Sequence, residues 1–269
     1  MTDYGSLVQA WKALRGRCGG LSVRELACVN AARTLLVAEI AAPGRPVISL
    51  ASGVHGDEPA APWALLSIVR DGLLDPNFSY RIWPCTNPTG YAAGTRANAE
   101  GDDINRSFGR GGATPEARAI ITANRDRTFV FSFDLHEDFE SSGFYCYEPK
   151  AQVVDGFGQA VLDDVRAAGF ALQEMQDGYD LGYPPQAHAT LVLEPGRVVY
   201  DPVSSEQSLG GTPYSTYMLR RAAQRVMTFE SPRSFAWKDR VAIHRIAVVS
   251  ALNRLRQVLP AAGAAAVKL

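Results

Sequence analysis

Hydrophobic and polar positions along the chain fall into two alternating kinds of segment. Six short runs are rich in β-branched or aromatic residues: Arg33–Ile40, Pro46–Ser52, Tyr80–Cys85, Thr128–Leu135, Thr190–Leu193 and Arg225–Phe229. Continuous apolar runs of this length suit strands covered on both faces, as in a largely parallel sheet. Between them lie stretches with helical spacing. Pro59–Asp71 follows two acidic residues, Asp57 and Glu58, which suit a helix N-terminus. Thr114-Pro115-Glu116 reads as an N-cap with proline at the first helical position, opening a helix to about Arg127. Gln152–Ala168 and Arg240–Leu259 complete the set, the last with Val241, Val248, Leu252, Leu255 and Leu259 along one stripe. Strands alternating with helices predict a layered α/β fold. No repeat or linker interrupts the pattern, so residues 1–269 are expected to form one domain, with a frayed tail after Pro260.

In open α/β sheets, ligands bind outside the carboxyl ends of the strands. The polar residues that follow each predicted strand are therefore the first place to look. His55 and Glu58 follow one strand, Asn87 the next, His136 another and Glu230 the last. His55-Gly-Asp-Glu58 is a His-x-x-Glu pair around a turn into a helix, so imidazole and carboxylate can reach one ion from the same side. His136, 78 residues beyond Glu58, supplies a third ligand. Two histidines and one glutamate leave an open position for water, the coordination of a catalytic zinc. An isolated His-x-x-Glu is more often a hydrogen-bonded histidine beside a solvated glutamate. A second histidine at another strand end shifts the balance towards a metal site.

The segment from Asn87 through Arg96 to Asn105 and Arg106 is long and glycine-punctuated, and loops of that length in compact domains usually carry function. One of the two arginines can clamp a substrate carboxylate bidentately. The other can stabilise the oxyanion that develops when an amide carbonyl is attacked. Asp103 can accept the free N–H of a metal-bound histidine. Around His136, Asp134, Glu137, Asp138 and Glu140 are either a wall for a cationic substrate group, a further metal ligand, or a solvated acidic loop. The solvated loop is the simpler expectation. His244 reads as structural, and His188 is left unassigned.

Composition removes several alternatives. With 27 Lys+Arg against 28 Asp+Glu the net charge is −1, so the basic footprint of a nucleic-acid binder is missing. No apolar run approaches a membrane span, and the first residues lack the apolar core of a signal peptide. Four widely spaced cysteines suit reduced thiols, and the expected location is the cytoplasm. There is no Gly-x-Ser-x-Gly elbow for a serine hydrolase. The run Gly109-Arg-Gly-Gly112 lacks the Lys-Ser/Thr of a phosphate loop.

Taken in order, these residues resemble the zinc carboxypeptidase family. The matching motifs are His55/Glu58, Asn87-Pro88-Thr89-Gly90, Arg96, Asp103-Ile104-Asn105-Arg106, His136 and Thr228-Phe229-Glu230, spread over roughly residues 45–232. The resemblance implies a three-layer α/β/α sandwich around a mixed, mostly parallel central sheet. It implies one zinc ion on His55, Glu58 and His136, with Glu230 as general base on the zinc-bound water and Asp103 orienting His55. It also implies that Arg96 polarises the scissile carbonyl and that Asn105 and Arg106 hold the carboxylate of a small peptide substrate.

The mobile-loop tyrosine of digestive carboxypeptidases has no clear counterpart. An ungapped alignment puts Glu206 there, with Tyr200, Tyr214 and Tyr217 nearby. His-Gly-Asp-Glu is closer to the murein-peptide amidases and to the succinylglutamate desuccinylase/aspartoacylase branch. Only 39 residues follow Glu230, too few for the C-terminal β-domain usual in the desuccinylase branch. The expected function is zinc-dependent hydrolysis of an amide bond next to a free carboxylate. A deacylase of N-acyl amino acids is the first alternative, and a non-catalytic metal-binding relative the second.

Overall fold

A computed structural model describes residues 3–30, 33–109, 111–174 and 192–259. His188 and the tail after Leu259 lie outside the described residues, as do the first two positions of the Thr190–Leu193 run. In chain order the elements are α1 (Tyr4–Ala13), β1 (Leu21–Asn30), β2 (Arg33–Ile40), β3 (Val47–Ser52), α2 (Ala60–Arg70), β4 (Ser79–Trp83), α3 (Pro88–Ala93) and α4 (Pro115–Asn124). There follow β5 (Phe131–Asp138), β6 (Tyr145–Pro149), α5 (Phe157–Ala167), β7 (Val192–Glu194), β8 (Arg197–Tyr200), α6 (Pro202–Leu209), α7 (Tyr214–Arg221), β9 (Val226–Pro232) and α8 (Trp237–Val258).

Among the described residues nine strands form one mixed sheet in the order β1-β2-β4-β3-β5-β9-β6-β8-β7. Its centre, β4-β3-β5-β9, is parallel throughout. β2 joins β4 and β6 joins β9 in antiparallel fashion. Each central strand is buried on both faces, which explains the unbroken apolar runs. Ile48, Leu50, Phe131, Phe133 and Phe229 point to one face, where they meet Leu65 and Ile68 of α2, Val161 and Leu162 of α5, and Ile243 and Val248 of α8. Phe133 stacks on Phe131 at 4.3 Å and on Phe229 at 5.6 Å, which ties β5 to β9. The other face carries Ala51, Trp83 and Val226 under Ala117 and Ile120 of α4 and Tyr214 and Met218 of α7. Helices therefore cover both faces, giving the expected three-layer α/β/α sandwich.

Several local expectations need correction. The stretch from Gln152 is not one helix. A 3₁₀ turn over Lys150–Asp155 ends at Gly156, whose φ of +67° breaks the helix before α5 begins. The loop after Asn87 starts as α3, with Asn87 Oδ1 accepting from Gly90 N at 2.8 Å and Pro88 in the first turn. β5 and β9 run on past the predicted ends, so His136 and Glu230 sit within strands and not after them. Thr114 caps α4 as expected, although α4 stops at Asn124 and not near Arg127. No described helix is long and apolar enough to cross a membrane.

Candidate metal centre and substrate cavity

β3 leads through α2 to β4 on one side, and β5 lies on the other side of β3. The chain thus diverges at the carboxyl end of β3, which is where open α/β sheets place a ligand crevice. His55 and Glu58 occupy the turn between β3 and α2. That turn can lie flat against α3 because Gly56 has no side chain, since a Cβ there would stand 1.9 Å from the backbone carbon of Gly90. His136 comes from β5. Glu230 comes from β9 and is its register partner across a parallel pair.

The three candidate ligands converge. Suitable atoms of His55, Glu58 and His136 all lie within 4.8 Å of one another, and all three residues are buried. Glu58 turns Oε1 to His55 Nδ1 at 2.5 Å and Oε2 to His136 Nδ1 at 2.9 Å. Both imidazoles present Nδ1 inward and Nε2 outward to a carboxylate. Asp103 Oδ1 lies 3.4 Å from His55 Nε2, and Asp134 Oδ2 lies 3.0 Å from His136 Nε2. Such outer carboxylates fix the tautomer of a ligating histidine and raise its basicity. Two imidazoles and a carboxylate, each imidazole with its far nitrogen turned towards an outer carboxylate, are a donor set that fits a divalent ion such as zinc. Burial works to raise the Glu58 carboxyl, but His55 and His136 overcome it and hold it well below the usual carboxylate range. Burial has the opposite outcome at Glu230, pushing that carboxyl up despite His136, with Glu58 adding to the rise.

The sequence reading missed Asp134 in this role. The available signal was its spacing two residues before His136, which puts both on one face of the strand. The solvated acidic loop is also corrected, because β5 continues through Asp138 and its end is covered. Asp134 and Glu137 are buried, and only Glu140 of the four carboxylates is exposed. Glu137 pairs with Arg240 of α8 and accepts from Ala60 N at the start of α2 at 2.5 Å, while its own N–H donates to Glu58 Oε2 at 3.1 Å. Asp138 accepts from the Tyr145 hydroxyl at 2.8 Å. His244 is fully buried in α8, in keeping with a structural role.

A cavity of about 470 Å³ opens beside the triad, and Arg96, Asp103, Asn105, Arg106 and Glu230 all line it. Asp103 organises this side. Its Oδ1 accepts from Asn105 N at 2.8 Å, capping a 3₁₀ turn over Ile104–Arg106, and its Oδ2 holds Arg96 Nη2 at 3.1 Å. Arg96 Nη1 reaches within 3.3 Å of His55 Nδ1. Asn105 Oδ1 accepts from Tyr214 N at 2.9 Å, which fixes α7 against the cavity. The tyrosine ambiguity narrows. Tyr214 and Tyr217 are buried in the core under α7, and Glu206 is taken up by Thr212 and Arg220. Among the described residues, the tyrosines that line the cavity are Tyr145, Tyr147 and Tyr200.

No protein-family model matches the chain. Among curated proteins, human carboxypeptidase D is 30% identical over 35% of this chain, and the match covers only 10% of that relative's length. Solved structures align over nearly the whole chain. A Shewanella amazonensis protein with a metallopeptidase assignment has a TM-score of 0.73 at 22% identity, covering 94% of this chain and 93% of its own. A metallo-carboxypeptidase from Burkholderia cenocepacia gives 0.70 at 15% identity, over 95% and 69% of the two chains. Carboxypeptidase A from Helicoverpa armigera gives 0.63 at 15%, over 94% and 74%. The fold is that of the metallo-carboxypeptidases. The chain resembles the zinc carboxypeptidases in both its motif order and its architecture.

Proposed function

We propose that residues 1–269 form one catalytic domain, a zinc-dependent hydrolase that cuts an amide bond next to a free carboxylate, in the manner of a carboxypeptidase. The observation that carries this reading is the common face of β5 and β9. His136 and Glu230 stand side by side in register, at the rim of a cavity that also holds Arg96, Asn105 and Arg106. His55, Glu58 and His136 would hold one zinc ion. Bound there, zinc supplies a Lewis acid that lowers the pKa of water and polarises a carbonyl. Glu230 takes a proton from the attacking water and returns it to the leaving amine nitrogen. Burial raises its pKa above the usual carboxylate range, which makes it a stronger base than an exposed glutamate. Arg96 faces the triad and offers N–H donors to the developing oxyanion. Asn105 and Arg106 anchor the free carboxylate of a small peptide, Arg106 through its bidentate fork. Nothing in this scheme needs nucleic acid or membrane, and a cytoplasmic location suits its reduced thiols.

The test is release of amine from a mixed panel, followed by mass spectrometry with and without a chelator. The panel holds free and C-terminally amidated peptides, γ-glutamyl peptides and N-acyl amino acids. Chelator-sensitive loss of a terminal residue, only where its carboxylate is free, supports the carboxypeptidase reading. Cleavage confined to N-acyl amino acids replaces it with the deacylase.

A further inference from the structure

Away from the metal centre, the sheet face under α4 gathers positive charge. Arg24 of β1, Arg81 of β4 and Arg127, just after α4, converge on one carboxylate, Glu39 of β2. Glu39 Oε1 accepts from Arg81 Nη1 at 3.0 Å and lies 3.6 Å from Arg127 Nη2, while its Oε2 accepts from Arg24 Nη2 at 3.0 Å. Strand register sets this up, since Arg81 stands opposite Glu39 on one side and Ser49 on the other. Arg81 is 3% exposed, with its guanidinium 5.2 Å from the centre of the Trp83 ring. Arg24 and Arg127 are exposed. The three arginines line a groove of about 740 Å³ together with Arg118, and this groove shares no lining residue with the cavity beside the triad.

One carboxylate cannot balance three guanidinium groups. Glu25 also lines the groove, but it is taken up by Lys12 and by the Thr34 hydroxyl at 3.0 Å. Four arginines against Glu25 and Glu39 leave two positive charges in surplus, before Lys12 is counted. Glu39 holds Arg81 by one terminal nitrogen, and Arg81 Nε is buried with no partner among the described residues. Burial lowers the Arg81 pKa; Glu39 opposes the fall, and Arg127 and Arg24 add to it. Like charges held together beside a buried cation are costly, and an anion that joined them would recover that cost.

We propose that Arg24, Arg81 and Arg127 form a receptor for a dianionic phosphate group, separate from the metal centre and independent of the hydrolase reading. A dianion matches the surplus of two charges. Guanidinium forks offer paired N–H donors that suit a phosphate bidentately, and all the basic residues lining the groove are arginine. Among the described residues, the Arg24 and Arg127 side chains pair with Glu39 alone, so each keeps donors for a second acceptor. The ligand is either the free ion or a phosphate ester whose remainder extends out of the groove.

The zinc-loaded protein is titrated calorimetrically with inorganic phosphate, glycerol 3-phosphate, succinate and acetate. Ionic strength is held constant and the pH kept at about 8, above the second phosphate pKa of about 6. One of the two phosphates should bind at least about tenfold more tightly than acetate, as hydrogen bonds between charged groups imply. Preference for the ester assigns a phosphomonoester, and preference for the free ion assigns inorganic phosphate. Arg24→Gln and Arg127→Gln should each weaken that binding at least about tenfold. Arg81 is left in place because it is packed into the sheet, and the two exposed arginines carry the test without risk to the fold. Arg166→Gln, on α5 across the sheet, should change nothing, and neither should Arg106→Gln in the metal-centre cavity. Loss of phosphate binding in Arg106→Gln but not in Arg24→Gln puts the ion in that cavity and overturns the proposal. Succinate bound as tightly as phosphate, an equal loss in Arg166→Gln, or no saturable binding at millimolar concentration overturns it too.

Discussion

His136 and Glu230 are direct neighbours across parallel strands β5 and β9, one a candidate ligand and the other the candidate base. Backbone pairing of β5 with β9 thus holds the candidate base next to a candidate metal ligand. Glu230→Gln keeps the shape of the side chain and removes its basicity. Turnover should fall by about 10²-fold or more, the usual worth of a general base, while bound zinc remains stoichiometric. Steady-state rates and metal analysis on the same sample check this, and retained activity would sink the mechanism.

Asp103 touches His55, Arg96 and Asn105 at once. Asp103→Asn should therefore weaken zinc affinity by roughly 10–100-fold, the range for loss of an outer carboxylate. Competition with a chromophoric chelator measures it. Unchanged affinity would mean that the 3.4 Å approach of Asp103 to His55 does nothing for the metal.

Gly56 lets the ligand turn press against α3. Gly56→Ala puts a methyl group 1.9 Å from Gly90 C and 2.1 Å from Tyr91 N, both backbone atoms that cannot swing aside. Overpacking of this kind costs about 1–3 kcal/mol. Urea denaturation should show that loss, together with weaker zinc binding because His55 and Glu58 shift with the turn.

His244 is buried in α8, and burial lowers its pKa from 6.5 to about 3. The folded state therefore binds fewer protons than the unfolded state between those two values. The contribution of His244 is fully present above about pH 6.5 and is lost as pH falls towards 3. His244→Leu should flatten the fall in denaturation midpoint across the upper part of that window, from pH 6.5 to about 4. An unchanged slope would contradict the burial effect.

Much of this protein was legible as sequence because its main signals are local or periodic. β2 matches the predicted bounds at both ends, and the unbroken apolar runs predicted strands covered on both faces. Thr114-Pro115 marked the start of α4 by capping chemistry. His55, Glu58 and His136 could be chosen as a set because strand ends collect at one edge of an α/β sheet. Strands β1, β6 and β8 were missed, being shorter runs or runs interrupted by charged residues.

The roles of the carboxylates were decided by tertiary structure. Asp134, Glu137, Asp138 and Glu140 are four of seven consecutive residues and read alike along the chain. Folding gives the first to His136, the second to Arg240, the third to the Tyr145 hydroxyl, and leaves the fourth in water. Arg240 lies 103 residues from Glu137, and no local pattern encodes that pairing. Sequence alone located the central strands β2–β5 and β9, the helices α2, α4 and α8, and the side chains that can bind a metal, since propensity, capping and ligand chemistry belong to residues. Register and packing decided which carboxylate meets which partner, because a charge in a low-dielectric interior is defined by neighbours that only the folded chain brings close.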